Sequence, residues 1–107
     1  MFVVTLTHTP ELCFGNESYK ELGRKWVENM KRSARELQIK IHGAYISPNE
    51  HTFYFIIESD NFRAISDFLE PPMLTHHTAR ISPVLDIEEG FGLDFMKSSQ
   101  GREMLKY

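Results

Sequence analysis

The sequence predicts one α+β domain whose strands and helices follow the order βαββαβ. Four short segments alternate apolar and polar side chains, as strands do, and two longer segments repeat apolar residues at spacings of three and four, as amphipathic helices do. Turn residues separate these segments. With 107 residues, 41% of them hydrophobic and 25% charged, the chain is long enough for one core and too short for two.

A strand and a long helix are expected in the first third of the chain. Residues 2–8 (FVVTLTH) are apolar and β-branched, with threonines at every second position, which favours a strand. Residues 19–37 predict a helix with one apolar face. That face consists of Leu22, Trp26, Val27, Met30, Ala34 and Leu37. Asn16 or Ser18 is expected to cap this helix, and Ser18 with Glu21 matches a capping box.

Two further strands, a second helix and a fourth strand follow. Residues 39–47 and 51–59 are strand-like and are joined by a short turn, SPNE, which predicts an antiparallel hairpin. Residues 61–70 carry an apolar stripe and end at two prolines, so a short helix is expected there. A fourth strand is expected over 77–85. This order is the ferredoxin-like motif, in which two helices cover one face of a four-stranded antiparallel sheet.

The last part of the chain is expected to be an extension of this domain. The ferredoxin-like unit accounts for residues 1–89, and residues 90–107 follow it after acidic residues that suit a helix start. The extension holds too many apolar side chains for a free tail. We therefore expect it to pack on its own domain or on a partner subunit.

Composition argues against several classes of partner and reaction. The formal charge is −3, from 12 basic and 15 acidic residues without a basic block, so nucleic acid is not an expected partner. No run approaches the roughly 18 apolar residues of a membrane span, and the N-terminal residues do not resemble a signal peptide, so a cytoplasmic location is expected. The single cysteine, Cys13, excludes an intrachain disulfide and a multi-cysteine zinc site. A glycine-rich phosphate loop, a nucleophile elbow and an HExxH motif are absent from the sequence.

Three short motifs resemble a known superfamily. GAY (43–45), NEHT (49–52) and SPVLDIEE (82–89) are similar to the motifs of GYD-type and related small domains in the dimeric α/β-barrel superfamily. This resemblance implies a homodimer or higher homo-oligomer in which two sheets pack into a barrel, with a small-ligand pocket in each subunit. The superfamily includes monooxygenases, isomerases, haem enzymes and ligand-sensing domains, so the fold alone does not determine the function.

Three of the five histidines are expected to meet at one end of the sheet. His8 closes strand one, and His76 and His77 precede strand four beside it, while Cys13 lies in the loop after strand one. Because side chains alternate along a strand, His8 and His77 are expected to point to the helix side. With strands one and three assumed to run in the same direction, His51 is expected at the opposite end.

This group suggests metal or acid-base chemistry. Imidazole binds zinc, copper, nickel and iron, and its pKa suits proton transfer near neutral pH. The sequence therefore predicts that His8 and His77, with His76 or Cys13, bind a transition metal or act on a small ligand. The alternative is that each histidine is structural and hydrogen-bonded to the backbone.

Two classes of function remain open from the sequence. The first is a small-molecule or transition-metal binding protein, which includes a monooxygenase- or isomerase-like enzyme. The second is a non-catalytic sensing or assembly module in which the histidines are structural. Metal analysis of the purified protein discriminates between them.

Other candidate ligand-binding residues lie elsewhere in the predicted fold. Tyr45 is expected to line a pocket, and Arg80 to bind an anionic ligand or to form an interface salt bridge with Glu58 or a partner carboxylate. Trp26 and the aromatic run 53–55 can stack a flat cofactor such as haem, but their helical and strand spacing favours core packing.

The sheet face away from the helices is the expected dimer interface. Tyr54, Ile56, Val84 and Ala44 are assigned to this face, which makes it too apolar to remain in water. The alternation in strand two also places His42 on this side.

Overall fold

The computed structural model describes residues 1–70 and 72–92. Its strands are β1 (Phe2–Thr7), β2 (Lys40–Ser47), β3 (Thr52–Glu58) and β4 (Thr78–Pro83). Its helices are α1 (Lys20–Glu36), α2 (Phe62–Phe68), α3 (Met73–His76) and α4 (Ile87–Phe91), and short 3₁₀ turns occupy Pro10–Leu12 and Pro48–Glu50. Across the described ranges, none of the helices has the length and apolar character needed to span a membrane.

The four strands form one antiparallel sheet in the order β2-β3-β1-β4. The predicted α+β class and four-stranded antiparallel sheet are therefore confirmed, and the architecture is compatible with a ferredoxin-like fold. The expectation that strands one and three run in the same direction is wrong, because β1 and β3 are antiparallel neighbours. As a result, the start of β3 lies beside the end of β1.

The core lies between the sheet and the helices α1 and α2. On the sheet side the buried residues are Val4, Leu6, Phe55 and Ile57. The Trp26 ring of α1 lies 5.7 Å from the Phe55 ring, and the Phe68 ring of α2 lies 6.2 Å from Phe55 on the same face. The helix-facing side, called here the inner face, is thus covered by aromatic side chains, and the other side is called the outer face.

A β-bulge changes the alternation of side chains in β2. The register of β2 on β3 shifts between Ile41 and Gly43, so His42 is the extra residue. Beyond the bulge Ala44 pairs with Phe55, whose side chain is buried on the inner face. The prediction that placed Ala44 on the outer face is therefore wrong, because the bulge reverses the facing of every later residue in the strand.

The start of α1 also differs from the prediction. Tyr19 is the N-cap residue and makes no side-chain cap, so the predicted Ser18–Glu21 capping box does not form. Glu21 instead pairs with Arg24 one turn along the helix. Asn16 closes the preceding loop, because its amide donates to two carbonyls of the first 3₁₀ turn at 3.0 and 3.1 Å. This bonding fixes the loop that carries Cys13.

The predicted C-terminal extension, 90–107, lies almost wholly outside the described residues. Its expected helical start is present, since the Asp86 side chain accepts a hydrogen bond from the Glu89 amide at 2.7 Å and caps α4. The expectation that the extension packs on the domain or on a partner stays a prediction.

Candidate functional site

One end of the sheet brings three histidines together. Thr7 of β1 pairs with Thr52 of β3 on one side and with Thr78 of β4 on the other. Each of these threonines has a histidine as its neighbour in the chain at this end of the sheet. Those histidines are His8, His51 and His77. Antiparallel pairing on both sides of β1 therefore places all three side by side.

His8 is at the centre of this group and is 7% exposed. Its ring centroid lies 4.9 Å from that of His77 and 5.2 Å from that of His51. The predicted proximity of His8 and His77 is confirmed. The prediction that His51 lies at the opposite end of the sheet is wrong, because β3 runs antiparallel to β1.

Cys13 joins the histidines from the loop after β1. One ligand atom each of His8, Cys13 and His51 lies within 4.8 Å of the others. The Cys13 Sγ accepts a hydrogen bond from the Gly15 amide at 3.4 Å, and cysteine sulfur is a common metal ligand. These three residues and His77 are called the histidine cluster below.

The backbone of His51 has an uncommon conformation. Its φ of 51° and ψ of 47° lie in the left-handed region, which non-glycine residues adopt at a cost of about 1 kcal/mol or more. The His51 amide donates to the Pro48 carbonyl at 3.3 Å, and the His51 carbonyl accepts from the His8 amide at 3.1 Å. These bonds hold the turn that brings His51 beside His8.

Three buried ring nitrogens of the cluster have no hydrogen-bond partner among the described residues: both nitrogens of His8, and Nε2 of His77. They are called the unpartnered nitrogens below. Within the part of the chain that the structure describes, His77 Nδ1 is the one ring nitrogen of the cluster bonded to the backbone, at 2.8 Å from the Met73 carbonyl. The alternative interpretation is that each histidine is structural and bonds to the backbone. This holds for one nitrogen of His77 and fails for the His8 side chain. Buried polar atoms normally find a partner, so this arrangement is typical of a site that receives a ligand.

Burial favours the uncharged form of the central imidazoles. It lowers the pKa of His8 below the usual 6.5, and the neighbouring His51 lowers this pKa further. Burial also lowers the pKa of His77, although the hydrogen bond to the Met73 carbonyl opposes this change. Neutral rings retain a lone pair at neutral pH, which is the form that binds a metal ion.

Aromatic side chains enclose the cluster. The Phe14 ring lies 5.4 Å from that of His77, and the Phe53 ring lies 5.5 Å from it on the sheet side. Phe14 reaches this position because α1 has a glycine where they meet, and a Cβ on Gly23 would lie 2.6 Å from the Phe14 ring. These phenyl groups give part of the cluster an apolar surrounding, which strengthens electrostatic interactions there.

A cleft of about 290 Å³ opens onto the cluster from the β4 side. It lies between the loop after β1 and the residues that lead into β4, and it is lined by Thr7, His8, Thr9, Leu12, Thr75, His76, His77 and Thr78. Threonine hydroxyls and imidazoles give the cleft a polar wall. It has room for a small polar molecule.

The other residues proposed from sequence lie at different distances from the cluster. His76 lines the same cleft, but its ring packs 5.0 Å from Tyr19 and it is not one of the three grouped ligand residues. Tyr45 is 61% exposed and lines a separate apolar groove of about 220 Å³ between α1 and β2. Arg80 pairs with Thr5 and lies on the outer face. The structure therefore brings together His8, Cys13 and His77, with His76 at the edge, and it separates Tyr45 and Arg80 from them.

Two further residues have structural partners. Trp26 packs against Phe55 and Phe68, as expected for a core residue. His42 lies with its Nε2 2.9 Å from a carboxylate oxygen of Glu58. Both side chains are therefore occupied by contacts outside the histidine cluster.

The residue that sequence reasoning missed is His51, and the sequence contains a signal for it. His8, His51 and His77 are each followed directly by a threonine. The last two of these histidines precede the first residue of a strand, and His8 follows the last residue of one. The three strands pair with one another, and each has a histidine at the end that lies on this side of the sheet. With the correct strand directions, this pattern would have predicted that the three histidines meet.

Comparisons with known proteins add no relative: no family model matches the chain, and neither a curated protein nor a solved structure matches it. The resemblance to GYD-type domains of the dimeric α/β-barrel superfamily stays a prediction. Support for a function therefore comes from the geometry of the cluster.

Proposed function

We propose that this protein binds a transition-metal ion through His8, Cys13 and His51. The observation that carries the proposal is the combination of three ligand atoms within 4.8 Å of one another and a central imidazole that is buried without a hydrogen-bond partner in the described ranges. A cation with two imidazole ligands and one thiolate ligand uses each of these groups.

The distances suit such an ion after small side-chain rotations. Zinc binds histidine nitrogen at about 2.0–2.1 Å and cysteine sulfur at about 2.3 Å, so tetrahedral ligand atoms lie about 3.3–3.8 Å apart. The observed limit of 4.8 Å exceeds that range by about 1 Å. Rotations of the Cys13 and histidine side chains account for this approach in the proposal, and the backbone of the loop and of the sheet keeps its position.

The ligand types favour a borderline or soft cation. Thiolate selects zinc or copper(I) over magnesium or calcium, and imidazole suits the same ions. The neutral histidines need not lose a proton to bind, and the ion itself stabilises the Cys13 thiolate. Zinc and copper(I) are therefore the ions of choice for this site.

The cleft beside His8 supports small-molecule binding as part of the same function. Three protein ligands leave a fourth position on a tetrahedral ion, which is the arrangement of catalytic zinc sites. His8 belongs both to the ligand group and to the wall of the cleft, so a small polar molecule in the cleft lies next to the ion. The proposal thus includes an enzyme whose metal ion acts on the small molecule. The alternative function, a sensing or assembly module with purely structural histidines, requires no metal.

Metal titration tests the proposal. Cobalt(II) reports thiolate ligation by a charge-transfer absorption, and competition with zinc gives the affinity of the purified protein. His8→Ala, Cys13→Ser and His51→Ala should each weaken zinc binding at least about tenfold, whereas His42→Ala should leave it unchanged because His42 pairs with Glu58 outside the cluster. A wild-type protein that binds no stoichiometric zinc or copper(I), or equal affinity in all four variants, contradicts the proposal.

We further propose that the outer sheet face forms a homodimer interface. Val3, Tyr54 and Ile56 share this face with Arg80, and Tyr45 pairs with Tyr54 there. Apolar and aromatic side chains beside an exposed arginine suit a self-complementary interface. Light scattering should give twice the monomer mass at micromolar concentration, and a monomer over that range contradicts this part of the proposal.

A further inference from the structure

We infer that His77 positions the metal ligand His8, because the His77 Nε2 accepts a hydrogen bond from the His8 ring nitrogen that does not bind the ion. This inference rests on the proposed metal site and adds a function for the fourth member of the histidine cluster. His77 is a positioning residue here, whereas His8, Cys13 and His51 contact the ion.

The tautomer of His77 follows from its backbone contact. A carbonyl oxygen can only accept a hydrogen bond, so the nitrogen 2.8 Å from the Met73 carbonyl must carry the proton. In the neutral ring the other nitrogen, Nε2, then has a lone pair and is an acceptor. Met73 is fully buried in the core, which fixes the carbonyl and hence the direction of the His77 ring.

The numbers of donors and acceptors match. A neutral His8 has one nitrogen with a lone pair and one with a proton, and both are buried without a partner among the residues described. When the lone pair binds the ion, the N–H still needs an acceptor. The only other buried side-chain nitrogen or oxygen without a partner in residues 1–70 and 72–92 is the His77 Nε2. Metal binding and one hydrogen bond thus satisfy all three unpartnered nitrogens.

The separation of the two rings agrees with this bond. Two imidazoles joined head to head by an N–H···N bond of about 2.9 Å have centroids about 5 Å apart. The observed separation is 4.9 Å, and the planes are inclined at 80°, an angle that rotation about the bond axis permits. A modest rotation of the His8 ring, of the kind that ligation requires, is enough to align its donor.

The threonine hydroxyls that line the cleft make no hydrogen bond to the His8 ring nitrogens within the described residues. Phe14 and Phe53 flank both histidine rings, with centroids 5.4–6.4 Å away, and provide no acceptor of comparable strength. Histidine ligands of metal ions typically donate their second nitrogen to such an outer acceptor, which fixes the ring and increases its basicity. Here a second imidazole, itself anchored to a backbone carbonyl, has that role.

The test compares two replacements of His77 with the same exchange at a histidine outside the cluster. His77→Phe keeps an aromatic ring and removes the acceptor, His77→Gln supplies an amide oxygen that can accept, and His42→Phe is the control because His42 pairs with Glu58. We expect His77→Phe to weaken zinc binding about 10- to 100-fold, with His77→Gln restoring part of the loss and His42→Phe binding as the wild type does. Circular dichroism verifies that each variant is folded.

Spectroscopy separates positioning from ligation. The cobalt(II) complex of His77→Phe should keep the thiolate charge-transfer band and the coordination number of the wild type. In the zinc-bound wild type the His8 ring N–H should give a slowly exchanging proton signal in nitrogen-edited NMR spectra, and this signal should be lost in His77→Phe.

The outcomes separate this inference from the proposed function. Unchanged zinc affinity in His77→Phe overturns it, and so does a change in cobalt coordination number, because His77 would then be a ligand. A wild-type protein that binds no metal overturns the proposed function and this inference with it. Tight wild-type binding with no effect of His77→Phe overturns this inference alone.

Discussion

Replacing His8 by phenylalanine should make the metal-free protein more stable. His8 is buried, and neither of its ring nitrogens has a hydrogen-bond partner within the described ranges. Its neighbours on two sides are the aromatic rings of Phe14 and Phe53. Phenylalanine keeps the planar shape in this aromatic setting and removes two polar atoms that burial has stripped of water.

The expected size of the effect follows from these two atoms. At the low end of the cost of a buried donor or acceptor without a partner, the two His8 nitrogens together cost about 2–3 kcal/mol, and the larger phenyl ring costs about 1 kcal/mol through overpacking. The net gain for metal-free His8→Phe is therefore about 1–2 kcal/mol. For a domain of this size, 1 kcal/mol corresponds to roughly 4–8 °C in Tm.

The assay is urea and thermal unfolding in the presence of a chelator, with His8→Leu as a second variant of smaller side chain. Both variants should unfold at higher urea concentration than the wild type. A loss of about 1 kcal/mol or more in both would refute the reasoning, because it would show that the His8 nitrogens make stabilising hydrogen bonds in the folded protein.

Three further outcomes are expected. Burial lowers the pKa of His8 and His77 from 6.5, so as the pH falls these histidines take up protons in the unfolded chain before they do so in the folded protein. The metal-free protein should therefore be most stable above about pH 6.5 and lose stability at lower pH. Equal urea midpoints at about pH 7.5 and 5.5 would contradict this expectation. His51→Gly should abolish the rise in Tm on adding zinc and change the free energy of unfolding of the metal-free protein by less than about 1 kcal/mol, because glycine adopts the left-handed backbone without strain but has a more flexible unfolded chain. A loss of unfolding free energy above about 2 kcal/mol would show that the His51 side chain packs in the metal-free protein. Gly23→Ala should destabilise the protein by about 1–3 kcal/mol in urea unfolding, because the new methyl group meets the Phe14 ring, whereas a gain from helix propensity alone would show that the ring moves freely.

The existence of the main elements could be predicted from periodicity, and their ends could not. Residues 2–8 contain β1, but the strand ends at Thr7, and His8 continues the same alternation beyond it. The strand predicted over 77–85 begins at Thr78, after the short helix α3. Alternation nevertheless placed His8 and His77 on the same side, because one residue beyond a strand end still follows its direction.

Two features of the site depend on pairing between strands, which periodicity within a segment does not report. The position of His51 follows from the direction of β3 relative to β1, and its ring direction follows from a left-handed residue at the end of the Pro48–Glu50 turn. The reversed facing of Ala44 follows from the bulge in β2, which adds one residue without changing the apolar pattern. Both depend on tertiary contacts, so a single sequence predicts the elements better than the site.

The local features that disfavour the metal-free fold lie together. His8 has unpartnered nitrogens, His51 has a left-handed backbone, and the two rings have centroids 5.2 Å apart. Residues that violate local rules in one small volume are expected at functional sites, where a ligand compensates for them. A ligand present at 1,000 times its Kd stabilises the folded state by about 4.1 kcal/mol, which exceeds the 1–2 kcal/mol that His8→Phe is expected to gain. The order of stability should therefore reverse with saturating zinc: the wild type rises above His8→Phe, because only the wild type retains the central ligand of the cluster.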